Sequence, residues 1–405
     1  RVSLAAWLGA SIPLVWSQPD CTPLAPLFSL ALTPIVGALL AVGFVDAVIL
    51  VGVGSPLPGI AALCKGTGSV FVALLESIGR AFDACPGTPM LWPPLPAVTI
   101  ALLLVSVTIV WAKRRVTSAA LATALGAAVV AVPPTETPSL SLPSLGRGQS
   151  LIVAGDRATV LFDAGSVDLP LGGSREIVRC LWAKGRTHID LLILSHAHAD
   201  HVLAAPDLER QLSIGAIAVG PRFDESDLGR ALVERWRRRS ISIIRLRRGD
   251  TVRVGDIRID TLHPFDRWPA SLTVGLNDDS LAVRLRAGRL DAVAPGDIEE
   301  LGMNACPVPP PDPDAWRLVL LPHHGRASRS LSRWIAGTRP DGLLASSTGS
   351  SCEAVEQWSR RVPTVLTSEH GDIRWRPVGD AWTFEVTGVR WRSFPVWSSF
   401  VPSER

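Results

Sequence analysis

The sequence has no tyrosine, two methionines and lysine at only three positions, so its basic residues are nearly all arginine. Together with the alanine, glycine and proline content, this bias indicates GC-rich coding rather than function. The six cysteines include no Cys-x-x-Cys pair, which excludes a zinc ribbon and leaves the disulfide pairing undecided. The formal net charge of +3 is too small to indicate nucleic-acid binding by itself.

Charged side chains are scarce from Arg1 to about Ala112 and dense from Gly146 onward. The chain has 405 residues, which is too long for one ordinary domain. We therefore predict a polytopic membrane α-helical segment over residues 1–134 and a water-soluble α/β domain over residues 135–405. Because the chain does not begin with Met and shows no signal peptide, we expect it to be the C-terminal part of a longer protein.

Several apolar stretches support the membrane segment. Residues 27–53 are long enough to cross a bilayer of roughly 30 Å, and Pro34 favours a kink. Asp46 is either an interfacial residue or a carboxylate that lines a pathway. Residues 69–82 have the pattern of an amphipathic interfacial helix. Shorter apolar stretches are residues 2–16, 97–112 and 118–132.

The motif Lys113-Arg114-Arg115 lies between the last two apolar stretches and suggests a topology. Short positive loops tend to stay in the cytoplasm. If residues 118–132 then cross back, everything after Pro134 lies outside. The prediction is a multi-pass protein of the inner membrane whose soluble domain faces the periplasm or the exterior.

In the soluble part, short apolar runs alternate with amphipathic stretches, which is typical of α/β layers. Residues 134–143 have the composition of a linker that leads into a first strand, and residues 150–153 and 158–162 predict a hairpin. Residues 251–261 alternate apolar and polar side chains, as one half-buried strand does. The remaining predicted helices are 174–184, 203–212 and 227–239, and the strands are 189–194, 214–219, 241–246, 281–285, 290–294 and 316–321.

Four residues of metal-ligand type follow the predicted strand 189–194, namely His196, His198, Asp200 and His201. Imidazole and carboxylate groups are ligands that Zn²⁺ and Mn²⁺ accept. His196 and His198 can point to one ion, and Asp200 and His201 can serve a second ion close by. A metal centre is favoured over a helix cap or a solvated loop, because four such residues in six rarely arise by chance.

Two other strands end in residues of the same type: Asp297 follows one, and His323 and His324 follow another. Strand ends and their loops are where an α/β sheet builds a site. His263 stands before a proline, where a structural role is favoured over a ligand role. Asp163 beside Ala164-Gly165 either supports a metal ligand through a hydrogen bond or belongs to a plain turn.

The densest positive run lies between Arg235 and Arg253. It could contact phosphates. A solvated surface is the favoured interpretation, because no aromatic platform interleaves the run and Glu234 and Asp250 partly balance it.

The order of these motifs resembles the metallo-β-lactamase-fold hydrolases and, more closely, the ComEC-like family of competence DNA-uptake channels. The opening stretch at residues 1–9 looks like part of that family's membrane domain, and residues 367–373 look like its closing strand signature. Motifs between them that match in order are Gly146-Arg147-Gly148-Gln149-Ser150, Phe162-Asp163-Ala164-Gly165, Ser195 to His201, Asn277-Asp278-Asp279-Ser280-Leu281, Gly296-Asp297 and Pro322-His323-His324-Gly325.

The resemblance implies an αββα sandwich that holds two divalent metal ions, Zn or Mn. His196 and His198 would bind one ion, Asp200 and His201 the other, and Asp297 would bridge them. One of His323 and His324 would complete the second site. The resemblance also implies catalytic roles for Asp200, His201, His323 and His324, and supporting or substrate-facing roles for Asp163, Asn277 and Ser280.

The sequence departs from the family pattern in the strand that opens the domain, where Ser144 and Gln149 stand in place of aspartate. Cys352 lies where a His-Pro pair is expected, and Arg326 replaces a serine. The expected direct ligands are all present, so metal binding is still predicted. Catalytic rate and substrate choice are the properties that these departures affect.

Two neighbouring ions suit phosphodiester hydrolysis. The resemblance therefore implies a nuclease that degrades one DNA strand while the other enters through the membrane, with DNA, the lipid bilayer and other competence proteins as partners. One alternative is a membrane-anchored hydrolase of small esters or lactones, because the fold does not choose the substrate. Another is a catalytically weak domain that binds or gates DNA.

Overall fold

The computed structural model describes residues 20–21, 25–53, 66–75, 77–78, 90–91, 138–265, 268–269, 271–347, 353–378, 381–387 and 398–400. Its internal contacts divide the chain into two compact units, Arg1–Pro133 and Pro134–Arg405. Each unit is described by itself.

The first unit contains one long helix, Ala25–Val53, with Pro34 inside it. This helix covers the apolar stretch at residues 27–53, and the helical residues 66–75 and 77–78 overlap the predicted stretch 69–82. Over the part of the chain that the structure describes, no helix combines the length and the apolar character needed to span a bilayer. The membrane topology therefore stays a prediction. The side chain of Asp46 and the predicted stretches 2–16, 97–112 and 118–132 lie outside the described residues.

The second unit is built from short strands and helices. In chain order its strands are β1 Ser139–Leu142, β2 Gly148–Ala154, β3 Thr159–Ser166, β4 His188–Leu194, β5 Ser213–Val219, β6 Ser242–Arg245, β7 Thr251–Val254, β8 Ile257–His263, β9 Ala282–Ala287, β10 Leu290–Ala294, β11 Trp316–Leu320, β12 Gly342–Ala345, β13 Thr364–Leu366, β14 Ile373–Val378, β15 Ala381–Val386 and β16 Ser398–Phe400. Its α-helices are α1 Ser174–Trp182, α2 Ala199–Val202, α3 Ala205–Gln211, α4 Asp227–Arg238, α5 Glu300–Ala305, α6 Leu331–Thr338, α7 Glu353–Ser359 and α8 Thr367–His370.

These strands form two sheets. The nine-stranded sheet has the order β16-β15-β14-β1-β2-β3-β4-β5-β6, and the seven-stranded sheet has the order β13-β12-β11-β10-β9-β8-β7. The runs β3 to β6 and β10 to β13 are parallel within their sheets. The carboxyl ends of parallel strands meet at one edge, so residues that follow β4, β10 and β11 can be gathered there.

The two sheets enclose one apolar core, to which both contribute fully buried side chains such as Phe162 and Ile193 from one sheet and Leu285 and Leu318 from the other. On the outer face of the seven-stranded sheet, helices α5, α6 and α7 bury Met303, Leu331, Trp334 and Val355 in a second cluster. Helices α1 and α4 bury apolar stripes of their own. The predicted sandwich of two sheets between helices is confirmed.

Two predictions about individual elements were wrong. Residues 139–142 form β1 rather than linker, because alternate leucines Leu140 and Leu142 point into the core. Residues 251–261 form the hairpin β7–β8 rather than one strand. Gly255 has φ +56°, a conformation that favours glycine, and it turns the chain between Val254 and Ile257.

Candidate metal centre

The edge where β4, β10 and β11 end brings the predicted ligands together. Ser195 follows β4, and His198, in extended conformation, leads into the short helix α2 that carries Asp200 and His201. Asp297 follows β10, and His323 and His324 follow β11 with φ values of 48° and 57°. Left-handed backbone is costly for residues with a side chain, so the surrounding structure must hold this turn in place.

Gly165 in β3 lets the turn with the ligands approach the sheet closely. A Cβ atom added at Gly165 would lie 2.6 Å from backbone atoms of Asp200, His201 and Val202. Real Cβ atoms do not approach backbone so closely, so any other residue at this position would push α2 away. The glycine of the Asp-Ala-Gly motif therefore sets the position of Asp200 and His201.

Four side chains converge on one point, and we call them the four-residue cluster: Asp200, His201, Asp297 and His324. Each offers one ligand atom, and these atoms all lie within 4.8 Å of one another. The distance from His201 Nε2 is 3.2 Å to Asp297 Oδ1 and 3.8 Å to Asp200 Oδ2. His324 Nε2 lies 3.6 Å from Asp200 Oδ2 and 3.8 Å from Asp297 Oδ2.

The donor set of the four-residue cluster fits a divalent cation. Three of its buried atoms, His201 Nε2, Asp297 Oδ1 and His324 Nε2, make no hydrogen bond within the described structure. Buried polar atoms are nearly always paired in folded proteins, so three unpaired atoms that face one point call for a partner. Two imidazoles and two carboxylates are a set that Zn²⁺ or Mn²⁺ accepts.

Asp163 orients this cluster from behind. It is fully buried, and its carboxylate accepts hydrogen bonds from His201 Nδ1 at 2.8 Å and from the Ser195 backbone N–H at 2.7 Å. The Ser195 hydroxyl donates to it at 2.9 Å, and Gln149 Nε2 donates at 3.0 Å. With Nδ1 of His201 engaged, Nε2 is the nitrogen that faces the cluster. The geometry therefore favours the supporting role of Asp163 over the plain turn.

The two strand-end histidines of β11 differ in what they contact. His324 donates through Nδ1 to the Ser346 carbonyl at 2.8 Å, which turns its Nε2 toward the four-residue cluster. His323 Nδ1 instead lies 3.1 Å from Glu299 Oε1, which also accepts from Asn277 Nδ2 at 3.0 Å. His324 is thus the one of the pair that joins the cluster, and His323 lies at its margin.

The charges of the cluster shift the pKa values of its members. Burial lowers the pKa of His201, but Asp297 and Asp163 outweigh burial and hold that pKa well above its usual value. Burial raises the pKa of Asp200, yet the nearby imidazole of His324 and the charge of His201 bring it down to about 2. The carboxylates around His201 favour a positive charge at this point. A metal cation can supply that charge in place of the proton on the imidazole.

His196 and His198 lie beside the cluster without joining it. His196 Nε2 is 3.0 Å from His198 Nδ1, and His196 Nδ1 is 3.0 Å from the Ser195 hydroxyl. The rings of His196 and His201 are 4.3 Å apart between centroids. Burial lowers the pKa of His196, so its imidazole is neutral, as a metal ligand must be.

The other predicted residues have separate places. The Ser280 hydroxyl accepts a hydrogen bond from the Asp297 backbone N–H at 3.2 Å and supports that residue. His263 is buried away from the cluster and donates to the Asp278 carbonyl at 2.7 Å, which agrees with a structural role. Arg326 is exposed, and Cys352 lies outside the described residues.

Sequence reasoning missed Ser195 and Glu299 as contacts of the centre. Ser195 stands inside the recognised motif, but a serine next to histidines carries no signal of its own. Gln149 was noted only as a departure from aspartate, whereas it donates its amide to Asp163. Glu299 follows Gly296-Asp297 in an unremarkable helix start, and only the fold brings it to His323.

Comparisons with known proteins show what this chain is similar to. Residues 144–336 match the Metallo-beta-lactamase superfamily. The second unit has the metallo-β-lactamase fold. The chain is also similar to the ComE operon protein 3 of Bacillus subtilis strain 168, with 24% identity over 269 residues, or 60% of this chain and 33% of that protein. The predicted resemblance to the ComEC-like family is therefore confirmed, and the match spans about a third of the relative's length.

Solved structures with similar folds include the metallo-beta-lactamase fold protein YhfI from Bacillus subtilis. It is 13% identical, with 56% of this chain and 96% of that chain covered and a TM-score of 0.37. A diphosphatase from the PhnP family is 13% identical, with 59% and 98% covered and a TM-score of 0.35. The superfamily match supports a metal-dependent hydrolase in this ComEC-like chain.

Proposed function

We propose that this chain carries a metal-dependent phosphodiesterase that cleaves DNA during its uptake. The observation that carries the proposal is the four-residue cluster, whose unpaired ligand atoms face one point at the strand ends. Asp200, His201, Asp297 and His324 would hold one ion. His196 and His198, beside them, would hold the second, with Asp297 between the two.

Divalent ions in such a pair polarise a phosphate oxygen, supply a nucleophile at neutral pH and stabilise the leaving oxygen. The protein's own contribution is orientation. Asp163 and Ser346 fix the rings of His201 and His324 through their Nδ1 atoms. His323 lies at the margin beside Glu299, where it can exchange a proton with a substrate oxygen.

The connection to DNA uptake is supported by the similarity to the ComE operon protein 3 and by the order of the motifs. We infer that the first unit is part of a multi-pass segment in the inner membrane, with the hydrolase domain on its outer side. Double-stranded DNA would then be the incoming partner, the strand that enters would pass the membrane, and other competence proteins would deliver it.

The test uses the full chain, purified with detergent, and single-stranded DNA in the presence of Mn²⁺ or Zn²⁺. Wild-type protein should cleave the DNA only when metal is added, and Asp297→Asn should not cleave it. Arg360→Gln is the matched control. Arg360 is exposed and shortly precedes β13, the edge strand of the seven-stranded sheet on the side opposite to β7. Metal binding without cleavage would contradict the nuclease, and turnover of a lactone or small ester instead would favour the alternative hydrolase.

A further inference from the structure

The arginines between Arg235 and Arg253 differ in their partners. On helix α4, Arg235 forms an ion pair with the buried carboxylate of Glu209, and Arg239 Nε lies 3.5 Å from the same group. Arg245 Nη2 lies 2.6 Å from Asp224 Oδ2. These side chains are neutralised within the fold, as the solvated-surface interpretation expects.

Arg248 is different, because no carboxylate of the described residues forms an ion pair with it. Its side chain is exposed, and its guanidinium carbon lies 4.9 Å from the centre of the Phe265 ring. A guanidinium stacked on an aromatic ring is held in place while its N–H donors stay available. Among the described residues, Arg248 therefore offers an oriented positive charge without a carboxylate partner.

The fold supplies an aromatic platform beside the arginine run, whose own Trp236 is fully buried. The Arg248 backbone N–H donates to the Pro264 carbonyl at 2.7 Å, which ties the loop before β7 to the residues after β8. Phe265 and Trp268 are both half-buried, and their rings are 5.6 Å apart at an angle of 85°. The reason for preferring a plain solvated surface thus fails at Arg248.

A short chain of residues links this group to the metal centre. Trp268 Nε1 donates to Asp279 Oδ1 at 2.6 Å, and the next residue, Ser280, accepts from the backbone of Asp297 at 3.2 Å. The sheet register also places the arginine run near the strand end that leads to the centre. Arg245 at the end of β6 is two strands from Leu194 at the end of β4. At the usual strand spacing, two strands are about 10 Å.

We propose that Arg248, Phe265 and Trp268 form a rim platform that binds single-stranded DNA and leads it to the metal centre. The proposal rests on the proposed nuclease function and adds where its substrate is held. Arg248 would contact a phosphate, and the aromatic rings would stack on bases. A single strand is the partner that fits, since the faces of its bases are accessible, whereas those in a duplex are stacked on each other.

The experiment measures binding of the full chain to a fluorescent oligothymidylate of about twelve nucleotides, without added metal and over a series of salt concentrations. Arg248→Gln should weaken binding about five- to tenfold and reduce the slope of log affinity against log salt by about 0.7, the value for one lost phosphate contact. Phe265→Leu should weaken binding roughly tenfold with an unchanged salt slope. Arg360→Gln, which removes the same charge far from the rim platform, should bind like wild type.

Equal affinity and equal salt slope for Arg248→Gln and Arg360→Gln would overturn the proposal. An equal loss for a duplex of the same length would overturn the preference for a single strand. Thermal unfolding checks that Phe265→Leu is folded, and Arg248→Gln tests the same surface with an exposed residue. Cleavage and binding are measured separately, so the two proposals can fail separately. If wild type cleaves DNA no better than Asp297→Asn but Arg248→Gln still binds more weakly, the nuclease fails and the rim platform stands.

Discussion

The four-residue cluster and the His196–His198 pair stand next to each other at the same strand ends, yet their ligand atoms are arranged differently. In the cluster, the atoms lie within 4.8 Å of one another, and three of them lack a hydrogen-bond partner. In the pair, the nearest nitrogens face each other at 3.0 Å. The cluster is already shaped for a cation, whereas in the pair the hydrogen bond between the two rings must be given up before both nitrogens can bind one.

The physical reason for this difference lies in what stands behind each residue. His201 and His324 each donate Nδ1 to a fixed acceptor, Asp163 and the Ser346 carbonyl. Behind His196 Nδ1 lies the Ser195 hydroxyl at 3.0 Å rather than a carboxylate or a backbone carbonyl, and His198 is partly exposed. Ligands that are oriented beforehand lose less entropy when they bind, so we expect the cluster to bind the first metal equivalent.

The largest effect should come from removing a residue of the cluster. Asp297→Asn should lower the affinity for the first Mn²⁺ by at least about 100-fold, because even a group that only supports a ligand is worth roughly 10- to 100-fold. His198→Asn should leave the first equivalent nearly unchanged and weaken the second. Calorimetric titration of both variants measures this, and an equal loss of the first equivalent in both would erase the difference between the two sides.

Gly165→Ala tests whether the close approach of α2 to β3 sets the cluster. The added methyl group would meet the backbone of Asp200 and His201, so we expect a loss of about 3 kcal/mol in the free energy of unfolding and weaker metal binding. Gly337→Ala is the matched control, since nothing lies within 4 Å of an added Cβ atom there. Chemical denaturation compares the two, and equal stability would show that α2 can shift freely.

The smallest effect concerns His263, which is held by packing and by its hydrogen bond to the Asp278 carbonyl, and which is the reference for a histidine outside the cluster. Burial lowers its pKa to about 4. Between that value and 6.5 the unfolded chain binds more protons, so the contribution of His263 to stability is full above about pH 6.5 and is lost as the pH falls. From about pH 7.5 to about pH 5 wild type should lose about 2 kcal/mol more than His263→Gln. Denaturation at both pH values measures this. Identical losses of unfolding free energy in wild type and His263→Gln would show that the imidazole is not shielded from water.

Much of the site follows from sequence patterns. The apolar run before Ser195 predicts a buried strand, and the histidines and aspartates after it predict a metal centre, because no core position tolerates so many unpaired polar groups. The position of Asp297 and His324 at other strand ends follows from the rule that parallel strands end at one edge. The choice between His323 and His324 does not follow, because two neighbouring histidines look alike in sequence and differ only in the contacts that the fold gives their side chains.

The sequence by itself determined the alternation of strands and helices and the candidate metal ligands, because both depend on local patterns of apolar and ligating residues. Tertiary structure alone decided which ligands converge, since that depends on Asp163, Ser346 and the close approach at Gly165. It also placed Phe265 beneath Arg248. Contacts of this kind join residues far apart in the chain, and no local pattern records them.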